Sequence, residues 1–407
     1  MVTDGAEERV LPGGLVLRTC RPADLEQVGA LLAARGDPPD AEDQRLVVED
    51  PDTGFDATAV VVDGDRVVST ATLLPETVRV ADVVVPAGQV ELVATDPGHE
   101  GRGLVRALMG WAHERSRARG DLLQVMIGIP YFYRLFGYEY AVDIPPARPV
   151  RDLPLPVPGL RRATPADLPA LARLQDAAQA GADVAMPHPA ARLRWLVAHE
   201  ATTTWVLERD GAVAGSVRVP EPDDDLLAAE PTAVDAAAAE ALLAGVAALA
   251  GGRPVRVTDR PASLPGAGWA DRLGAGSEQA EQYYVRVPDV GALLEALRPV
   301  LSRRFTASGV QRAGRDVVVS TYGASWRLPV TDDGLGPVRA GGREQAPGAV
   351  GGAGVAPDQL GALLLGPHGM HGLTRRRPDV YPGRDPELYE ALFPPMTADL
   401  LTYYLPY

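Results

Sequence analysis

The chain begins a similar run twice, and this repeat constrains its fold more than any other feature. Leu15-Val-Leu-Arg-Thr-Cys-Arg-Pro-Ala-Asp-Leu and Leu160-Arg-Arg-Ala-Thr-Pro-Ala-Asp-Leu each read as a short strand, a Pro-Ala-Asp turn able to start a helix, and an amphipathic run, over 25–34 or 168–178. Paired strands follow in both halves: 59–63 and 67–73 around Gly64-Asp65, then 204–208 and 213–219 around Asp210-Gly211. The expected fold is a duplicated α/β (α+β) unit. The proline-dense stretch 144–158 reads as an extended linker and puts a boundary near residue 150.

With 407 residues, there is room for a third unit. A strand at 282–287, an amphipathic helix at 290–305 and strands near 316–321 and 324–328 supply it. The glycine-rich stretch 331–356 is expected to be a mobile loop, and 357–365 a final short helix.

Charge and cysteine usage narrow the class. A net charge of −15 disfavours nucleic acid and anionic membranes and favours cationic ligands. All 39 basic residues are arginine, since the chain has no lysine. Cys20 is the only cysteine, so an intramolecular disulfide and a cysteine-based zinc site are excluded and a reducing, cytoplasmic setting is expected. The start is acidic, unlike a signal peptide, and the alanine-rich run 236–250 is too short to span a bilayer. No membrane segment and no metal site are expected.

The stretch that carries chemistry is Gln89-Val-Glu-Leu-Val-Ala-Thr-Asp-Pro-Gly-His-Glu-Gly-Arg-Gly-Leu-Val-Arg-Ala-Leu. Residues 90–94 read as a strand, 96–102 as a tight turn, and 103–119 as a helix with an apolar stripe at Leu104, Ala107, Leu108, Trp111 and Ala112. Backbone N–H groups at such a turn form an anion site, and Gly101 and Gly103 would let main chain approach a pyrophosphate. The run lacks the Gly-Lys-Ser/Thr end of a triphosphate loop and the opening Gly-x-Gly of a dinucleotide fold. A second run, Tyr131-Phe-Tyr-Arg-Leu-Phe-Gly-Tyr138, is rich in aromatics. Packing alone explains most of them. His99 and His113 have no partner suggested by spacing and are expected to be solvated.

Glu100-Gly-Arg-Gly-Leu-Val105 lies on the Gln/Arg-x-x-Gly-x-Gly/Ala frame of the GNAT superfamily, with Glu100 and Val105 as departures, and Phe132-Tyr-Arg-Leu-Phe-Gly-Tyr138 is similar to that superfamily's Phe-Tyr-x-x-x-Gly-Phe/Tyr run. Taken whole, the chain resembles the Eis (enhanced intracellular survival) family. The resemblance implies a catalytic GNAT domain over 1–150, a degenerate GNAT-like domain over 151–288 and a sterol-carrier-protein-like domain over 289–407, with mixed splayed sheets. It implies acetyl-CoA as co-substrate, held by Val93 and Thr95 on the splayed strand and by Gly101, Arg102, Gly103 and Leu104 at the turn. It makes Tyr133 the general acid and the terminal carboxylate of Tyr407 the base. The acceptor is then an amine-bearing small molecule or a lysine side chain, attacking the thioester directly, with Asp37 and Asp40 as candidates for holding its second ammonium. The resemblance also implies a homo-oligomer, a hexamer among the possibilities. Two rivals stand beside this reading: an acyl-CoA-sensing scaffold without catalysis, and a carrier whose last domain binds an apolar ligand with Arg375-Arg-Arg377 facing its headgroup.

Overall fold

The computed structural model describes residues 8–221, 223–277, 281–310 and 315–400. Its fold is mixed α/β, built on two mixed sheets and a smaller third one. The first sheet runs from Val16–Thr19 through Thr58–Asp63, the long strand Arg66–Val80, its hairpin partner Val83–Thr95 and Leu123–Met126. Helix Leu25–Arg35 packs on one face of this sheet and helix Leu104–Arg119 on the other. Val28 and Leu32 fill the first contact, while Leu104 and Leu108 meet Leu17, Val61 and Val68 in the second. The apolar stripe read from the sequence therefore faces the core.

The two segments that open alike in sequence also share side-chain detail. In the first half Arg18 makes a two-point ion pair with Asp24, at 2.6 and 2.9 Å, and Arg21 N–H donates to the same carboxylate. In the second half Arg161 pairs with Asp167 at 2.8 Å twice, and Thr164 N–H donates to Asp167. The next strand pair of each half then carries a bulge, Arg66–Val80 with Val83–Thr95 at Leu92 and Ala212–Pro220 with Leu226–Ala233 at Glu230, each with φ near +52°. An L-residue in that region is uncommon and is held there by its surroundings, so a shared bulge is a specific likeness between the halves.

The halves exchange strands. Gln282–Arg286, which follows the second half in sequence, enters the first sheet between Leu123–Met126 and Glu139–Asp143. Ala147–Pro149, which follows the first half, pairs with Val255–Thr258 at the edge of the second sheet. The expected extended linker is thus partly a sheet strand. Pro149 is tolerated because the strand lies on an edge.

The glycine-rich stretch is also more ordered than expected. It contains strands Gly334–Leu335, Arg339–Gly342 and Ala353–Gly354 and a turn of helix at Pro347–Val350. Its glycines serve close approach: a Cβ on Gly354 would run into Tyr381 and Tyr322, and one on Gly352 into Val318. Helix Val290–Ser308 packs against the first sheet, so that Leu293, Leu297 and Leu301 share one core with Val78, Val85 and Leu123. Among the described residues no helix is long and apolar enough to cross a membrane.

Candidate active site

The strand Val83–Thr95 pairs in parallel with Leu123–Met126 only at Ala87↔Leu123, Gly88↔Gln124 and Gln89↔Val125. Beyond Gln89 the two separate, and the bulge at Leu92 turns the end of the strand further. A cavity of about 590 Å³ opens in the resulting wedge. Val93 and Thr95 line one wall, Gly101, Gly103 and Leu104 its end, and Tyr133 the opposite side.

The turn is shaped for an anion. Asp96 caps the short helical turn Pro97–His99 by accepting from Gly98 N–H at 3.0 Å, and Gly101 and Gly103 adopt φ of +72° and +80°. Only glycine takes these angles without strain. Neither would place a Cβ within 4 Å of another atom, so the space over both is open to a ligand, and helix Leu104–Arg119 begins immediately after it. The strand edge, the wedge and the open glycine turn together fit a pantetheine arm leading to a pyrophosphate. Arg102 differs from its neighbours: its guanidinium lies against Gly13 and does not line the cavity.

Glu100, an acid beside an anion site, is neutralised. Arg35 ion-pairs with it at 2.5 Å, and both residues line the cavity. The arrangement also ties the end of the first helix to the glycine turn. Among the described residues the second half shows no such open glycine turn at the head of its helix Ala236–Ala250. There Asp235 caps helix Ala236–Ala250 by accepting from Ala238 N–H at 2.8 Å and pairs with Arg209, which puts a carboxylate where an incoming phosphate would bind.

Tyr133 sits on the helical turn Phe132–Phe136 with 6 % of its surface exposed. Its ring lies over Gly128, where any Cβ would collide with it, and packs edge-on to Tyr284 with centroids 6.1 Å apart. Burial, and then the charge of Glu91, push the phenol above its ordinary value. It stays protonated at neutral pH and is able to donate. Glu91 is itself buried on the splayed strand and accepts from Gln89.

Asp37 and Asp40 lie two and five residues beyond Arg35 and do not line the cavity. Asp40 accepts from Asp37 N–H at 3.2 Å, and burial, reinforced by the Asp43 and Asp37 charges, pushes it up to about 6. Tyr407 lies outside the described residues. The described chain runs up to Leu400 beside the first sheet, with Ala398–Asp399 paired to Val184–Ala185 and that pair to Arg79 and Val80.

Both histidines expected to be solvated have partners. His99 contacts Asp96 at 2.9 Å and Asp63 at 3.2 Å, and His113 contacts the Tyr138 hydroxyl at 3.1 Å. Burial, with Arg286 and Arg117 nearby, pushes His113 down to about 4. Cys20 is buried and its thiol is pushed up to about 12 by burial, which suits a packing residue. Among the described residues no group of His, Cys, Asp and Glu could hold a metal ion. Sequence reading missed Arg35, Arg106, Ile129, Leu135 and Phe136 as cavity residues. Arg106, one turn into the helix after Gly103, and Leu135 and Phe136, inside the Tyr131–Tyr138 run, stood close enough to the motifs to be found.

The acetyltransferase (GNAT) domain family matches residues 17–141, the stretch that holds the wedge, the turn and Tyr133. No curated protein sequence matches the chain. Among solved structures it is similar to a GCN5-related N-acetyltransferase from Kribbella flavida, at 21 % identity and a TM-score of 0.67, covering 96 % of this chain and 98 % of that one. It is likewise similar to a GCN5-related N-acetyltransferase from Anabaena variabilis, at 15 % identity, TM-score 0.69 and coverage of 96 % and 100 %. A third is Eis1 from Mycobacterium abscessus, at 16 % identity, TM-score 0.61 and coverage of 96 % and 100 %. At these identities the likeness over the full length is one of fold. Residues 17–141 thus form an acetyltransferase (GNAT) domain, and its cleft lies between the splayed strand and Tyr133.

Proposed function

We propose that the chain transfers an acetyl group from acetyl-CoA to a primary amine of a cationic acceptor, such as an aminoglycoside, a polyamine or a lysine side chain. The observation that carries this reading is the convergence of an open glycine turn, a free strand edge and a protonated buried phenol on one cavity. In this reading Gly101, Gly103 and Leu104 hold the pyrophosphate, and the backbone of Val93 and Thr95 orients the pantetheine arm. Tyr133 donates its proton to the departing sulfur. The thioester is the activated acyl group, and the amine attacks it directly. The overall acidity of the chain favours a cationic acceptor, and Asp37 and Asp40, beyond Arg35 at the cavity wall, are the candidates for its second ammonium.

The shared Arg–Asp pairs and the shared bulge support reading 151–288 as a second GNAT-like unit, and the Asp235 cap supports its being unable to take coenzyme. We assign 289–407 to a third, sterol-carrier-protein-like unit, and to the Tyr407 carboxylate the role of base. Adding one glycine after Tyr407 displaces that carboxylate by about 3.5 Å and keeps every side chain. A drop in turnover at unchanged acetyl-CoA affinity is the expected result, and parental turnover removes the carboxylate from the mechanism.

The direct test of the function is thiol release from acetyl-CoA across a panel of polyamines, aminoglycosides, lysyl peptides and neutral monoamines at low salt. Polyamines or aminoglycosides should be the faster substrates. Coenzyme binding with no release for any amine would favour the sensing scaffold instead. Because the chain has no lysine, acetyl label found on a protein acceptor cannot be confused with label on its own side chains.

A further inference from the structure

The strand Gln282–Arg286 brings Tyr284 into the first sheet from beyond the second half. Its ring is fully buried, stacks on Tyr140 with centroids 4.1 Å apart, and meets the Tyr133 ring edge-on. Its hydroxyl accepts from Tyr131 N–H at 2.7 Å and donates to Ile129 C=O at 3.4 Å. Both backbone partners belong to the short approach to the helical turn that carries Tyr133.

Tyr131 has a φ of +71°, a left-handed conformation that a bulky residue does not adopt unless something holds it. Its side chain gives little help, being 65 % exposed, and so is that of Ile129. The tether that reaches this segment from another strand is the Tyr284 hydroxyl, which bonds on either side of Pro130 and so holds the Tyr131 amide just ahead of the strained φ. Two residues later Tyr133 leaves the turn with its ring laid over Gly128, so a change in Tyr131 φ swings the Tyr133 hydroxyl across the cavity.

We infer that Tyr284 is the positioning residue for Tyr133: through its bond to the Tyr131 amide it fixes the angle at which the turn presents the phenol to the departing sulfur. The second half of the chain thereby supplies part of the first half's active-site geometry. This rests on the reading of Tyr133 as general acid.

A double-mutant cycle on the full chain tests it. Tyr284→Phe keeps the stack on Tyr140 and removes only the hydroxyl. It should lower kcat about tenfold with the KM for acetyl-CoA unchanged, because the bonds to the Tyr131 amide and the Ile129 carbonyl are lost. In a Tyr133→Phe background the same change should have no further effect on kcat, since the group it positions is gone. A purely structural Tyr284 would lower kcat by the same factor in both backgrounds, which overturns the inference and leaves the role of Tyr133 standing. Parental kcat in Tyr284→Phe also overturns it. Parental kcat in Tyr133→Phe overturns both readings together. Thermal unfolding of each variant identifies any loss that comes from the fold.

Discussion

Tyr133→Phe should lower turnover by roughly 10²-fold while acetyl-CoA binds as in the parent. The substitution removes one oxygen and leaves the ring over Gly128 and against Tyr284, so the packing around it is unchanged. What is lost is the proton donor. The sign of the pH dependence follows from the raised phenol: burial and Glu91 favour its protonated form, so Tyr133 should remain an acid through the neutral and moderately alkaline range. The parent should then show no fall in kcat from this group until the pH exceeds about 10, the ordinary value of a tyrosine. Steady-state rates of thiol release between pH 6 and 10, with coenzyme affinity measured separately by calorimetry, check both parts. Equal turnover in parent and variant would return Tyr133 to the role of a core aromatic.

Gly103→Glu should abolish acetyl-CoA binding, or weaken it by about 10²-fold or more. Two effects act in the same direction. At φ +80° an L-residue costs about 1–2 kcal/mol, which distorts the turn, and the new carboxylate enters the open space over the turn where a pyrophosphate is expected. Gly103→Ala separates them, since its Cβ meets no atom within 4 Å and only the backbone strain is felt. The alanine variant should therefore bind, with reduced affinity, and the glutamate variant should not. Calorimetric titration with acetyl-CoA is the measurement, and parental binding by Gly103→Glu would place the coenzyme elsewhere.

Local order was largely legible in the sequence. The Pro-Ala-Asp turns, the two hairpins and the helix after Gly103 lie where periodicity and turn residues put them, because each is decided within a few neighbours. Interactions between distant segments were not legible. Glu100 looked unfavourable beside phosphate because its partner, Arg35, is 65 positions away. His113 looked solvated because Tyr138 lies 25 positions away, whereas one of the His99 partners, Asp96, is only three positions away and was missed because the turn that brings them together was not read. Proline in 144–158 was read as linker, although an edge strand accommodates it. Glycine in 331–356 was read as freedom, although Gly352 and Gly354 are small because Val318 and Tyr381 press on them. The same residue type serves both purposes, and only tertiary contacts tell which.

The exchange of strands between the two halves has a consequence for synthesis on the ribosome. When Glu139–Asp143 leaves the exit tunnel, the strand that must pair with it on one side, Gln282–Arg286, is still about 140 residues from leaving it. At 5–20 residues per second, that delay is about 7–28 s. Throughout it, Leu123–Met126 presents an unpaired edge with Val125 and Met126 uncovered, a form prone to pairing with other chains. A fragment ending near residue 150 would stay permanently in that condition. The order of translation thus makes the catalytic sheet the first to begin and among the last to close, and rare codons placed between the two strands would lengthen the exposed interval without altering a single residue.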